Sequence, residues 1–436
     1  MTKDSKKPKA PSKGATKKAA KAPLKGAAPK KKDAAPAKEA KRPAEEADNR
    51  PKFQQVMDKI NREFMRKHEV KGPVIVTASH ANCSYKLRRP TGVLSMDIAL
   101  AGGFPASAPS VIVGPEGVGK DFLLWKTCGE VQRIYGDDFA MAVYLTEFMP
   151  DKGQMRMAGL QVGYSDDEIA ELSLARAQQG RPPFTEAEIA DLKAQTGQIA
   201  IITGVTAEDG FDILSEFLQS NTCQIIAVNS IGFLQTEAKE ATDSFADFAQ
   251  QRNEAMLLTK VAPKFAMLMN NLSTRNETSI LFINQVRAKD GAVNVRGRPV
   301  TDRDKYKAAA QSMALRHGLA IEVSLYRGKT IYDEGIYLGR EVNWELTKGK
   351  LGTHDGIRGE YSYLYDDGID AASDTLAVAM KLGVVQKSGS WLTFEEAGVK
   401  TQGEQMFRFK LRGDLELLAQ LRKACLTAAG VDFRYR

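Results

Sequence analysis

Between Pro109 and Gln132 the chain reads PSVIVGPEGVGKDFLLWKTCGEVQ. Gly114, Pro115, Glu116, Gly117, Val118, Gly119 and Lys120 spell G-x-x-x-x-G-K, the glycine spacing that lets backbone N–H groups converge on phosphate oxygens. The apolar run Val111–Val113 predicts a buried strand before it. Phe122, Leu123, Leu124 and Trp125 predict a helix after it, whose positive N-terminal end faces the same phosphates. Lys120 would reach the β- and γ-phosphates of a nucleotide. Two positions depart from the motif's usual magnesium chemistry. A hydroxyl is expected after the lysine, and Asp121 stands there; a carboxylate is expected at the end of a second apolar strand, and Gln224–Ser230 supplies Asn229. The net protein charge offered to Mg²⁺ stays at −1 but moves from one side to the other, and hard Mg²⁺ accepts oxygen from either group.

Three further groups carry chemistry. Glu147 follows the apolar run Met141–Leu145, so its carboxylate would project from a strand end, where it could orient an attacking water or simply cap a helix. Gln285 follows Leu281–Asn284 at another strand end, with an amide able to bond a phosphate or that water. Beyond it, residues 287–307 hold Arg287, Lys289, Arg296, Arg298, Arg303, Lys305 and Lys307 against Asp290, Asp302 and Asp304, broken by Gly291, Gly297 and Pro299. Such a basic loop suits a nucleic acid backbone, and with no aromatic before Tyr306 it offers no base stacking. Lys348 and Lys350 lie two apart, on one face of a strand or its exit turn.

The elements that must position these groups alternate strand and helix, which predicts an α/β fold with a mostly parallel sheet. The chain has 436 residues and a formal charge of +8. Residues 1–50 hold 16 Lys and Arg against 6 Asp and Glu, a net +10; with no aromatic before Phe53 this Lys/Ala/Pro-rich tail is expected to be disordered and drawn to phosphate. Phe53, Val56, Met57, Ile60, Phe64 and Met65 predict an amphipathic helix, followed by a short strand in VKGPVIVTAS. Tyr164–Leu172 and Phe184–Leu192 repeat one another, each with a capping box (Ser165 with Glu168, Thr185 with Glu188) and an aromatic before the cap with an isoleucine at the staple position (Tyr164 with Ile169, Phe184 with Ile189), and predict a helical hairpin. No apolar run is long enough for a membrane span, and four scattered cysteines show no metal-ligand spacing.

Taken in order along the chain, these segments resemble RecA, the homologous-recombination ATPase family, from about residue 52 to 428. The resembling stretches are Thr91–Leu100, Gly114–Lys120, Tyr144–Glu147, Leu281–Arg287, Thr347–Lys350 and Val384–Trp391. The resemblance implies a RecA-type P-loop core over residues 79–370 with a helical-hairpin insertion at 163–198. An N-terminal helix and strand would occupy 51–78 and a small α+β domain 371–436. It implies an ATP-binding site of Gly114 to Phe122 with Asp151 at the adenine, and Mg²⁺ near Asp121 and Asn229. Glu147 would activate water, Gln285 would sense the γ-phosphate, and Lys348 and Lys350 would reach a neighbouring subunit's ATP. Arg287, Lys289, Arg296 and Arg298 would contact DNA, together with Arg252, Lys260 and Lys264 in and after a first loop at 236–256. The implied function is ATP-dependent filament formation on single-stranded DNA, with pairing to duplex DNA and strand exchange, in a cytoplasm or, for a phage protein, the host's. Asp121 and Asn229 keep a catalytically weakened, structural DNA-binding relative in view; a hexameric RecA-core motor is the third reading.

Overall fold

Apolar runs without a charged residue, Val111–Val113, Met141–Leu145, Ile225–Val228 and Leu281–Ile283, lie side by side in the parallel part of one large sheet. The strands are, in chain order, β1 (Arg88–Arg89), β2 (Phe104–Pro105), β3 (Pro109–Gly114), β4 (Ala140–Leu145), β5 (Gln198–Ile202), β6 (Ile225–Asn229), β7 (Ser279–Ala288), β8 (Tyr306–Ala308) and β9 (Ile321–Asp333). They continue with β10 (Ile336–Gly349), β11 (Arg358–Leu364), β12 (Gly368–Ile369), β13 (Gln386–Ser388), β14 (Trp391–Phe394) and β15 (Val399–Gln402). The computed structural model describes residues 50–68, 73–77, 87–106, 108–194, 196–236, parts of 257–268, 277–288, 306–308 and 313–432. The chain divides into Met1–Gln55 and Val56–Arg436. In the first unit the described residues are 50–55, where the Gln55 amide donates to the Arg50 carbonyl at 2.7 Å. All else concerns the second.

The large sheet runs β12-β11-β10-β9-β3-β7-β6-β4-β5, with β8 beside β7. From β9 through β5 every pairing is parallel, whereas β9, β10, β11 and β12 pair antiparallel. Strand alternation divides the core between two faces. Ile112, Val143 and Ile283 pack on one side with Leu123 and Leu124. Val111, Val113, Ala142 and Phe282 pack on the other with Phe211 and Leu214. The first face is covered by α3 (Lys120–Tyr135) and the second by α7 (Ala207–Ser220).

Helix α1 (Lys52–His68) is fastened by one buried amide. The Asn61 Oδ1 accepts from the Val74 and Ile75 N–H groups at 3.0 and 2.8 Å, and its Nδ2 donates to the Ile75 carbonyl at 2.8 Å. The strand expected in VKGPVIVTAS is not one at residues 73–77: this segment satisfies its backbone on Asn61 and joins no sheet. Val56, Ile60 and Phe64 stay exposed.

The duplicated sequence forms α5 (Asp166–Gln178) and α6 (Glu186–Lys193), both with complete capping boxes. The repeat goes further than the boxes. Arg156 stacks 3.4 Å from the Tyr164 ring centroid and pairs with Glu168 at 3.0 Å; Arg176 stacks 4.3 Å from the Phe184 centroid and pairs with Glu188 at 3.2 Å. Each arginine Nε also donates to the carbonyl six residues on, Val162 or Pro182. The aromatic that the sequence reads as a hydrophobic staple therefore carries an arginine on its face, and that arginine holds the capping glutamate.

Residues 371–428 add β13-β14-β15 and three helices, Ala371–Lys381, Glu404–Gly413 and Leu415–Ala428, around their own core of Leu376, Phe394, Phe407, Leu411 and Leu421. These residues are joined to the P-loop side by two buried carboxyl groups and a half-buried guanidinium. Arg422 reaches Asp97 at 3.4 Å and donates to the Gly92 carbonyl at 3.1 Å, while the Asp374 carboxylate accepts from Ser95 N–H. Asp97, on α2 (Leu94–Ala99), also accepts from the Thr91 backbone and hydroxyl, both at 2.7 Å.

Removing one partner of such a pair strands the other, so Arg422→Ala is expected to cost about 3–5 kcal/mol in equilibrium unfolding, and Asp97→Asn in that background to recover part of it. Burial pushes the Asp97 carboxyl up to about 7, against the pull of Arg422 and Thr91. A carboxyl raised in the folded state stabilises fully below its unfolded value near 4 and loses that contribution as the pH climbs to about 7. The unfolding free energy of wild type minus that of Asp97→Asn should fall over that window and level off above it. A flat difference would show Asp97 ionised throughout.

Candidate functional site

Parallel register brings the chemistry to one sheet edge. Gly114 pairs opposite Gln285, and Leu145 opposite Asn229. The ends of β3, β4, β6 and β7 therefore emerge side by side, at the carboxyl edge where open α/β sheets bind ligands. Between β3 and α3 the loop turns through Gly117 at φ +64° and Gly119 at φ +92°, left-handed values that glycine adopts without strain. The Lys120 side chain is buried over this loop, its Nζ 2.9 Å from the Pro115 carbonyl. Desolvation lowers its pKa, opposed by the charges of Asp121, Glu147 and Glu116. On the outer side Arg327, from β9, donates to the Glu116 carbonyl.

Glu147 and Gln285, 138 residues apart, meet here. The Glu147 Oε1 accepts from the Ser230 hydroxyl at 2.6 Å and from the Gln285 amide at 3.1 Å. Thr146 and Ser230 lock the two strand ends together, with the Ser230 N–H donating to Thr146 Oγ1 at 2.9 Å and Thr146 Oγ1 donating to the Ser230 carbonyl at 2.7 Å. Among the described residues Oε2 of Glu147 has no partner, and the residue is exposed. This is the geometry of a carboxylate held by one oxygen and open at the other.

Asp121 and Asn229 also meet. The Asn229 amide lies near enough to the Asp121 carboxylate to favour its charged form. Asp121 is exposed to solvent. Desolvation pushes its carboxyl up, Lys120 and Asn229 pull it down, and Glu147 pushes it further up. Turning the Asn229 amide over replaces its N–H₂ with its oxygen, which would place two hard oxygen donors together. The residues thus fit magnesium. Among the described residues no cluster of three or more His, Cys, Asp or Glu exists, so any ion here would lean on phosphate and water for its remaining ligands.

Other expected residues fall elsewhere. Asp151 caps α4 (Lys152–Met157), accepting from the Gly153 and Gln154 N–H groups at 3.0 and 3.3 Å. Phe122 is buried, edge-on to Tyr363 at 5.0 Å. Lys348 and Lys350 are not at this edge. β10 runs antiparallel, so Lys348 pairs with Glu322, itself opposite Val111 near the start of β3. Their ammonium groups point to carbonyls at the end of the helix Met313–Gly318, Lys348 to Arg316 and Lys350 to His317 at 3.5 Å. Lys260 is exposed, and Lys264 pairs with Asp212 at 2.7 Å. Arg252, Lys289, Arg296 and Arg298, the tail, and the side chain of Arg287 lie outside the described residues. Ser230, Thr146 and Arg327 were not singled out in the sequence. Ser230 directly follows Asn229 and was legible by position; Arg327 had no local signal. Cys128, Cys223 and Cys425 are free and buried, and no described helix is long and apolar enough to cross a membrane.

Strand order, glycine loop, buried lysine and paired strand-end carboxylate define a RecA-type α/β P-loop core. No family model matches the chain. RecA of Bartonella tribocorum is 25% identical over 343 residues, covering 78% of this chain and 83% of that protein. RecA of Clostridium tetani is 25% identical over 336 residues, 76% of this chain and 79% of that one. RecA of Levilactobacillus brevis is 24% identical over 378 residues, 86% and 84%. A crystal structure of the RadB recombinase overlaps 64% of this chain and 98% of its own, at 15% identity and a TM-score of 0.37. The chain is thus similar to RecA proteins over most of its length, at about a quarter of its residues identical.

A ligand that binds only the folded chain stabilises it, by about 2.7 kcal/mol at 100 times its Kd. ATP with magnesium is expected to raise the unfolding midpoint accordingly, and Lys120→Ala to abolish the shift. An equal shift in Lys120→Ala would place the nucleotide elsewhere.

Proposed function

We propose that this chain is an ATP-dependent recombinase, assembling on single-stranded DNA and pairing it with duplex DNA. The observation that carries the reading is the Gln285–Glu147 hydrogen bond. It ties the carboxylate best placed to activate water to β7, the strand that leads directly into the basic segment 287–307. A γ-phosphate near Gly114 would compete for the Gln285 amide. Gln285 leaving Glu147 frees that carboxylate to take a proton from water, and the same movement reaches the candidate DNA loop. Nucleotide state and DNA contact are then one equilibrium read at two ends.

Lys120, once it exchanges the Pro115 carbonyl for phosphate oxygens, neutralises charge that develops on the transferred group. Magnesium, when bound, would supply Lewis-acid stabilisation of the charge on the phosphates. Asp121 and the turned Asn229 amide are the residues that would hold it. Lys348 and Lys350 serve a neighbouring subunit's nucleotide, since β10 carries them to the other edge of their own sheet. The tail, with its net +10, adds sequence-independent attraction to nucleic acid by counterion release.

Hydrolysis of ATP should be stimulated by single-stranded DNA, with open helical filaments on that DNA in electron micrographs. Lys348→Ala and Glu147→Ala should each be inactive, while mixed filaments of the two recover hydrolysis at interfaces pairing an intact glutamate with an intact lysine. Closed six-fold rings would favour a motor, and no recovery in proven mixed filaments would remove the trans role.

The relocated metal charge has its own test. Asp121→Ala should abolish magnesium-dependent hydrolysis. Asp121→Thr with Asn229→Asp, which restores the usual arrangement, should retain more activity than either single change. Wild-type rates in Asp121→Ala would sink the relocation, and a wild type that binds ATP without hydrolysing it would support the weakened, structural relative.

A further inference from the structure

Arg327 sits where the sheet geometry leaves room for a cation. β9 pairs with β3 only as far as Val113 opposite Ser324, and then continues to Asp333 against β10 alone. Three residues past Ser324 the strand has cleared the sheet edge and stands beside the P-loop. From there the Arg327 guanidinium donates to the Glu116 carbonyl and comes within 3.9 Å of the position a Cβ on Gly117 would take. The arm is braced on its far side. Arg340 on β10 donates to the Tyr337 and Tyr365 hydroxyls at 2.9 and 2.8 Å, and those hydroxyls lie 2.6 Å apart.

We infer that Arg327 is a positioning residue that presets the phosphate cradle from outside, by turning the Glu116–Gly117 peptide. The inference rests on the nucleotide reading above and adds a residue to it. The reasoning is one of peptide geometry. In a planar trans peptide the carbonyl of Glu116 and the N–H of Gly117 point in opposite directions. A cation that draws the carbonyl toward β9 therefore turns the Gly117 N–H toward the hollow of the loop, where phosphate oxygens bind. Gly117 accepts the required left-handed φ. Polarising the carbonyl also strengthens the N–H as a donor. Lys120 holds the neighbouring carbonyl, Pro115, from its own side, but must release it to reach a phosphate. Arg327 need not move, so it keeps the cradle open for the anion while the lysine exchanges partners. It also sets a fixed positive charge near a site where Asp121 brings a negative one close to the phosphates.

The test is equilibrium binding of ATP, ADP and inorganic pyrophosphate to the full chain and to Arg327→Gln and Arg327→Lys, with the ligand-free unfolding midpoint of each. Because the bond is exposed, the expected loss is modest. Arg327→Gln should bind all three about three- to tenfold more weakly, with an unchanged ligand-free midpoint, and Arg327→Lys should recover part of the loss. ATP affinity in Arg327→Gln equal to wild type overturns the inference. So does a weakening that tracks a lowered ligand-free midpoint and is not relieved by Arg327→Lys. A wild type that binds pyrophosphate but not ATP leaves Arg327 testable on pyrophosphate and overturns only the nucleotide reading. A wild type that binds none of the three overturns both.

Discussion

β3 lies between β7 and β9 with both neighbours parallel to it, Gly114 opposite Gln285 and Val113 opposite Ser324. Three strands therefore leave the sheet together, and the groups just beyond them share a few ångströms of space. The hydrogen-bond ladder sets this register, and the apolar faces hold it, because a slip of one residue would turn every buried side chain of β3 to the wrong face. Val111 and Val113 pack on one core and Ile112 on the other. The P-loop, the Gln285 amide and the Arg327 guanidinium are consequences of that register. So is the meeting of Glu147 with Ser230, since β4 and β6 are aligned in the same way.

Charge within this space is arranged differently from the motif it resembles. Asp121 occupies the first turn of α3, where the helix dipole favours a carboxylate, yet desolvation and Glu147 act to raise its pKa. Two like charges 4 Å apart repel by about 4 kcal/mol at an effective dielectric of 20, so a triphosphate beside an ionised Asp121 needs compensating cations. Lys120 supplies one and Arg327 stands beside the same loop. Asn229, neutral, removes the carboxylate that would otherwise crowd the far side. The substitutions at 121 and 229 thus make physical sense as a pair and poor sense singly, which is why they are best read together.

Much of this was legible in the chain. The glycine spacing, the apolar runs of β3, β4, β6 and β7, and the polar residue ending each run located the P-loop, Glu147, Asn229 and Gln285, because each signal is local. The capping boxes of α5 and α6 were local as well. What escaped depends on pairing between distant segments. Arg327 matters only because β9 lies beside β3, some 200 residues earlier, and no periodicity near Arg327 announces that neighbour. Asp97 and Arg422, a buried carboxyl and a half-buried guanidinium, pair across 325 residues of chain, and neither sequence neighbourhood looks unusual. Arg156 and Arg176 repeat with the capping boxes, at the same spacing from each aromatic, so that signal was present in the sequence although the expected staple obscured it. The strand expected near Val74 failed for a local reason of another kind: Asn61, one polar residue on an apolar helix face, takes the backbone bonds a sheet would have used.

The position of Lys348 and Lys350 bears on how such a chain could work. Lys348 lies level with Val111, three residues or about 10 Å at 3.3 Å per residue from the end of β3, and two strands away from it, which is beyond the reach of a lysine's four-carbon stem. Within one subunit these ammonium groups cannot touch a phosphate at Gly114. They rest instead on the carbonyls that end the helix Met313–Gly318, the negative end of its dipole. In the proposed assembly a neighbour's γ-phosphate competes with those carbonyls for the same two cations, and a doubly charged phosphate outbids a partial charge. The helix that loses its cations is the one that follows the basic segment 287–307. Subunit assembly, nucleotide and the candidate DNA loop would then be linked at both ends of that loop, through Gln285 where it begins and through the lysines where it ends.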